Sequence, residues 1–374
     1  MLRFKMHGKE ETYNLGSYPL TSLKKARDKA LEARRLIEEG KHPRRVLEEQ
    51  HRLDQASSRT LQNLFDDWMR VYIETHRKRP EYVRDMLGEI LDKLGKVALS
   101  QLNLDHIRPV LDAIVERGAR VKANRILSLL KQMFAHGEAR GLLAQNPMAS
   151  LKRQHVGGRE DTSKRFLSDE EIRTLIAALP ASGLSAQLQA TTLILLATGA
   201  RTQELRLASW SDVNLKKREW RIPKENSKNG LPHLIHLSPF AAKQFKRLDP
   251  NTGSAFVLAS RRLEDKPISD KTLHKALRDR QTDTPLANRT SNSEALKLPG
   301  GEWSPHDLRR TMATHLGEMG IGLHIIEKML NHKLEGILAV YQRSEWLPER
   351  KQAFEQWGHK LQKLTSTKQR QRNV

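Results

Sequence analysis

Cysteine is absent from this chain of 374 residues. No disulfide and no thiolate metal site can form, and the absence fits a reducing compartment. No apolar run reaches the ~18 residues that would mark a membrane-spanning helix. No secretory leader opens the chain, so a soluble, cytoplasmic protein is expected. Neither an amphipathic anchor nor a lipidation site is present, which argues against a lipid-surface role and leaves no membrane partner. Acidic residues are the scarcer charge: 44 Asp and Glu face 66 Lys and Arg, a net of +22. Such an excess favours a polyanionic partner, since phosphate contacts supply most non-specific affinity for nucleic acid. A highly soluble, solvated surface is the other reading of the same charge. The histidines lack HExxH or other metal-ligand spacing, which argues against a zinc nuclease. Without a Walker A loop or a carboxylate cluster, neither an ATPase nor a two-metal nuclease is indicated. Internal repeats are absent.

The chain length suits two or three domains. Leu2–Met6 and Glu11–Leu15 flank a His7-Gly8 turn and predict a hairpin, stopped by Gly16 and Pro19. From Ser22, a helical pattern runs through Ala26, Ala30, Ala33 and Ile37 to Gly40, with a basic opposite face. Residues 1–50 form the first segment, and the polar stretch 51–58 reads as a linker. Residues 59–150 read as all-helical: Leu61, Leu64, Trp68 and Val71–Tyr72 follow helical spacing, as do Ile107, Val110, Leu111 and Ile114. A further helix is predicted over Asn124–Gly141, and Trp68, Tyr72 and Phe134 are assigned to the core. Residues 151–165, with Gly157-Gly158, read as a second linker.

A third domain spans 166–360. Ser168 and Glu171 form a capping box, with Leu167 and Ile172 as a hydrophobic staple. A buried helix is predicted over Leu188–Thr198, and strands over Trp220–Pro223 and His233–Leu237 around a Lys224–Gly230 turn. Residues 279–302 read as a long loop, and helices resume at Ser304 as far as about Gly358. Residues 361–374 form a polar, basic tail, expected to be mobile from Thr365. The predicted fold class is therefore mainly α with small β-sheets, in several domains.

Four islands in the last domain carry chemistry. They are Thr198-Gly199-Ala200-Arg201 with Glu204, then Lys228 in a polar turn, then His306-Asp307-Leu308-Arg309, then Leu330-Asn331-His332 with Tyr341 beyond. Ser304 can cap a helix that starts at Pro305, which puts His306 and Arg309 on one face near a helix N-terminus. Such an end attracts anions, and a guanidinium there can hold two phosphate oxygens. Arg201, just past a buried helix, can be held rigidly enough to act as a charge clamp, with Glu204 to orient it. Lys228 can supply a proton as a general acid. Tyr341 can serve as a nucleophile that divides one difficult displacement into two. Taken singly, each has a plain structural reading: a cap ion pair, a surface histidine, a solvated hairpin lysine, a core tyrosine.

Taken together and in this order, the islands resemble the tyrosine recombinase (phage integrase) family. Residues 59–150, with Asn124-Arg125 and Asn146-Pro147, are similar to its helical core-binding domain. Residues 12–43, with Leu15-Gly16-Ser17-Tyr18-Pro19, resemble the arm-binding domain of integrases from prophages and genomic islands. The resemblance implies a site-specific DNA recombinase in which Tyr341 attacks the scissile phosphate and forms a 3′-phosphotyrosine. It implies that Arg201 and Arg309 neutralise developing charge and that His306 and His332 bond oxygens or manage protons. It further implies that Lys228 protonates the leaving 5′ oxygen and that Glu204 supports the site. Implied partners are double-stranded DNA attachment sites, a homotetramer assembled on them through a Holliday junction, an excisionase or directionality factor and a DNA-bending protein. No metal or nucleotide cofactor is implied. Relatives carry further strands upstream of the hairpin, so a truncated arm-binding domain is expected. A type IB topoisomerase and a non-catalytic DNA-binding regulator remain alternatives.

Overall fold

The computed structural model of the chain describes residues 1–6, 9–47, 59–143, 145–160, 164–248, 253–261, 263, 265–284, 292–332 and 344–366. The chain divides into two compact units, residues 1–162 and 163–374.

The first unit opens with an antiparallel pair, β1 (Leu2–Met6) and β2 (Lys9–Tyr13), in which Leu2 faces Tyr13 and Met6 faces Lys9. β2 starts two residues earlier than its hydrophobic pattern suggests, because backbone pairing carries the ladder through the charged Lys9 and Glu10. Helix α1 (Leu23–Glu38) follows, capped by the Ser22 hydroxyl, which accepts from the Lys25 amide. Residues 43–47 are also helical.

The helical part of this unit contains α2 (Leu61–Trp68), α3 (Pro80–Leu94), α4 (Leu104–Glu116) and α5 (Arg120–Ala139). Leu61, Leu64, Trp68, Ile107, Leu111, Ile114 and Phe134 fill one core, as their spacing predicts. Tyr72 does not join them: it is 42% exposed and stacks on His76, with ring centroids 4.8 Å apart. It lies in a wider, π-helical turn at Met69–Ile73, which changes the angular step per residue and shifts its side chain off the buried face. Helix α5 begins four residues before its predicted start. Part of the expected second linker is bound to it. The buried Asn124 side chain donates to Gly158 O at 2.9 Å and accepts from the Gly157 amide at 3.0 Å, and Arg120 Nε donates to Gly157 O at 2.7 Å. A side chain at 157 would place its Cβ 2.3 Å from the Arg120 carbonyl oxygen, so the close approach requires glycine.

The second unit starts with α6 (Asp169–Ala178). The predicted box is formed: the Glu171 amide donates to Ser168 Oγ, the Ser168 amide donates to Glu171 Oε2, and Leu167 and Ile172 are fully buried. Helix α7 (Ala186–Thr198) is apolar on all sides and lies inside the core. Its buried threonines donate back to carbonyls of the preceding turn, so no hydroxyl there is stranded. The short α8 (Thr202–Arg206) precedes a three-stranded antiparallel sheet of β3 (Val213–Asn214), β4 (Glu219–Ile222) and β5 (His233–His236). Trp220 pairs with Ile235 across the sheet and meets Phe245 edge-on. Helices α9 (Pro239–Lys246), α10 (Thr272–Arg278), α11 (Pro305–Glu318), α12 (Leu323–Met329) and α13 (Leu347–Ser366) complete the unit.

The described residues of the 279–302 segment form neither helix nor strand, as expected of a loop, and its ends are anchored. Arg280 donates to Ser182 O and Gly183 O, and Gln281 exchanges two hydrogen bonds with the Trp303 backbone. The last helix does not stop near Gly358 but continues to Ser366, because Leu361 and Leu364 bury one face. Among the described residues, no helix is long and apolar enough to cross a membrane.

Candidate active site

Gly199 ends α7 in the left-handed conformation, with φ of 62°. A side chain there would place its Cβ 2.9 Å from Met312 Sδ and 3.1 Å from Leu330 Cδ2. The turn therefore brings the end of α7 against both α11 and the end of α12. Two residues later Arg201 caps α8. Its amide donates to Glu204 Oε2 at 2.8 Å and its Nη1 donates to Glu204 Oε1 at the same distance. Glu204 is almost wholly buried, so the guanidinium is held by a fixed carboxylate while part of it stays open to solvent.

Helix α11 starts as its sequence predicts. Pro305 takes the first helical position, and Asp307 accepts from both the Ser304 amide (2.9 Å) and the Ser304 hydroxyl (2.7 Å). Leu308 and Met312 face the core. Arg309 is only 4% exposed, unusual for an arginine. It donates to the Gly199 carbonyl at 2.6 Å, to the Leu330 carbonyl, and to His332 Nε2 at 3.0 Å. One guanidinium thus ties together three of the four islands. Burial and the neighbouring Arg201 lower its pKa to about 10, so it stays charged at neutral pH. His306 sits exposed on the same helix end. Partial burial of the ring and the charges of Arg310 and Arg309 lower its pKa, which favours the neutral imidazole.

His332 is held from both sides. Arginine can only donate, so Nε2 accepts from Arg309 and Nδ1 carries the proton that goes to Glu327 Oε2 at 2.6 Å. Sequence reasoning missed Glu327. Its five-residue separation from His332 is not a helical pairing distance, and only the turn after α12 brings the two together. Lys228 lies exposed at the tip of the β4–β5 hairpin. Tyr341 lies outside the described residues.

The structure thus gathers Arg201, Glu204, His306, Arg309 and His332 where α7 and α12 end and α11 begins, and the Lys228 hairpin is bonded to the same turn. Two guanidiniums with imidazoles beside them are groups able to hold a multiply charged oxyanion. Among the described residues, no group of histidine and carboxylate side chains could hold a metal ion.

Three family descriptions match successive parts of the chain: an arm DNA-binding domain over residues 1–50, the phage integrase central domain over 63–154, and the phage integrase family proper over 165–346. The chain belongs to the phage integrase family and is a site-specific recombinase of the tyrosine class. Among its relatives are the prophage integrase IntZ of Escherichia coli K12 and the integrase of Shigella phage Sf6. The first is 27% identical, over 97% of this chain and 86% of the relative. The second is 24% identical, over 96% and 88%. A solved lambda integrase tetramer bound to a Holliday junction has a similar fold. It aligns with a TM-score of 0.61 at 19% identity, over 90% of this chain and 95% of that one.

Proposed function

We propose that the chain cuts and rejoins duplex DNA at attachment sites through a 3′-phosphotyrosine and a Holliday junction, and so integrates or excises a mobile element. The observation that carries this reading is the convergence of Arg201 and Arg309 with His306 and His332. This cluster suits the extra negative charge of a phosphorane. Tyr341 supplies the nucleophile: its oxygen bonds to phosphorus as the bond to the 5′ oxygen breaks. Lys228 gives a proton to that leaving oxygen. Arg201 and Arg309 neutralise the non-bridging oxygens, and Glu204 holds Arg201. His306 and His332 bond those oxygens or carry protons, and the neutral His306 imidazole is free to accept one. The phosphotyrosine conserves the energy of the broken bond, so rejoining needs no nucleotide.

In this reading residues 1–50 hold arm-type DNA, residues 59–150 hold core-site DNA, and residues 166–360 perform the chemistry. The net charge of +22 supports the affinity. The working assembly is a homotetramer on two attachment sites, aided by a directionality factor and a DNA-bending protein, in the bacterial cytoplasm.

A supercoiled plasmid carrying two attachment sites tests the reading. Recombinant circles or deletions are the expected product. Relaxation without exchange would instead mark a type IB topoisomerase, and binding without either would mark a regulator.

A further inference from the structure

The hairpin that carries Lys228 is bonded to the turn that carries His332, and one side chain makes most of that connection. Asn331 stands in the left-handed region with φ of 50°, a conformation asparagine tolerates better than most residues. Its Nδ2 donates to Ser227 Oγ at 3.0 Å and lies 3.4 Å from Asn229 Oδ1 and 3.5 Å from Leu231 O. In return Asn229 Nδ2 donates to Asn331 O at 3.0 Å and to Asn331 Oδ1 at 3.1 Å. Ser227 Oγ donates to Asn229 Oδ1 at 2.6 Å, and the Leu231 amide donates to the same oxygen at 3.1 Å. Ser227 and Asn229 are the two neighbours of Lys228. Asn331 lies between Leu330, whose carbonyl accepts from Arg309, and His332, whose Nε2 also accepts from it.

We propose that Asn331 is a positioning residue, a latch that fixes the Lys228 hairpin in register with the Arg309–His332 pair. Ser227 and Asn229 are its counterparts on the hairpin. An exposed lysine at a hairpin tip has many rotamers and a backbone free to bend, so by itself it is a poor general acid. Bonds to both of its neighbours remove the backbone part of that freedom. The latch also gives the hairpin and the phosphate-binding groups a shared reference point, so they move together or not at all. The inference rests on the reading of Lys228 as the proton donor to the leaving 5′ oxygen.

The test uses the full-length protein and two nicked half-sites from the junction of the element. One carries the ordinary 5′ oxygen at the scissile phosphate, and the other carries sulfur there. Sulfur leaves as a thiolate and needs no proton, so only the first substrate requires the acid. Asn331→Gly removes the latch and keeps the backbone conformation, Asn229→Ala removes it from the other side, and Lys228→Ala removes the acid itself. Asn331→Gly and Asn229→Ala are expected to slow adduct formation on the oxygen substrate by roughly tenfold to a hundredfold, the scale of a misplacement of about 1 Å. Both should match wild type on the sulfur substrate, and Lys228→Ala should show the same pattern more strongly. If Lys228→Ala is rescued by sulfur while the latch variants are impaired on both substrates or on neither, the latch is refuted and the acid assignment stands. If Lys228→Ala is not rescued, the acid assignment falls, and the latch falls with it.

Discussion

Arg309 Nη2 donates to His332 Nε2 at 3.0 Å, and this contact decides which imidazole nitrogen carries the proton. Because Nε2 accepts, Nδ1 donates to Glu327. The arginine, the histidine and the carboxylate form a chain in which each group orients the next.

Replacement of Glu327 follows from that chain. Glu327→Ala frees the imidazole to rotate and should slow covalent adduct formation by about tenfold, a fraction of what a positioned proton-transfer group contributes. Glu327→Gln keeps an acceptor for Nδ1–H and should retain most of the activity. Single-turnover cleavage of a nicked half-site measures both. Equal, unimpaired rates would show that the orientation of His332 is immaterial.

The two arginines should respond differently to conservative change. Arg309→Lys keeps the charge, but a compact ammonium lacks the planar fork whose two nitrogens reach the Gly199 carbonyl on one side and the Leu330 carbonyl and His332 on the other. It should lose about 1–3 kcal/mol of stability through unsatisfied buried acceptors. It should also lose cleavage on the ~10²–10³-fold scale of a missing transition-state donor. Arg201 is more open and, among the described residues, is bonded to Glu204, so Arg201→Lys should lower cleavage with a smaller change in thermal unfolding. Matching unfolding temperatures for the two variants would contradict the structural part assigned to Arg309.

Acid sensitivity should trace in part to His233. Its Nε2–H donates to Met329 O at 3.0 Å, and Arg350 donates to its Nδ1 at 3.2 Å. Burial, with Arg350 next, lowers its pKa from 6.5 to about 3. The unfolded chain therefore takes up a proton that the folded chain refuses. The stabilising contribution is complete above pH 6.5 and is lost as the pH falls towards 3. Glu171, bonded first to Arg165 and lowered from 4.5 to about 2, adds a second loss as the pH falls from 4.5 towards 2. His233→Gln can accept and donate in the same places without titrating, so its stability should fall less between pH 6.5 and 4.5. Denaturant midpoints across that range, compared with wild type, check this. Parallel curves would remove His233 from the account.

Much of this was legible in the sequence wherever local rules and the final packing agree. Ser168 with Glu171 and Ser304 with Pro305 marked helix starts, and the unbroken apolar run before Gly199 marked a buried helix with a sharp end. Arg201, His306, Arg309 and His332 were recognisable by order and residue type. Their union depends on hydrogen bonds across 21 to 110 residues that no local pattern encodes. Glu327 escaped, and Asn331 was named without a role, for this reason: each bonds a partner that only the folded turn after α12 supplies. Tyr72 was misplaced because a π-helical turn broke the regular step, and the end of α13 was hidden by its polar, basic composition around Leu361 and Leu364.

The central claim is that Tyr341 makes a covalent bond to DNA. A nicked half-site from the element's junction, incubated with wild type and Tyr341→Phe and then denatured, measures it directly. Wild type should yield a denaturant-resistant protein–DNA adduct, and Tyr341→Phe should bind the same DNA with nearly equal affinity and yield none. An adduct from the phenylalanine variant would contradict the assignment of the nucleophile, and tight binding by wild type without any adduct would contradict the claimed chemistry.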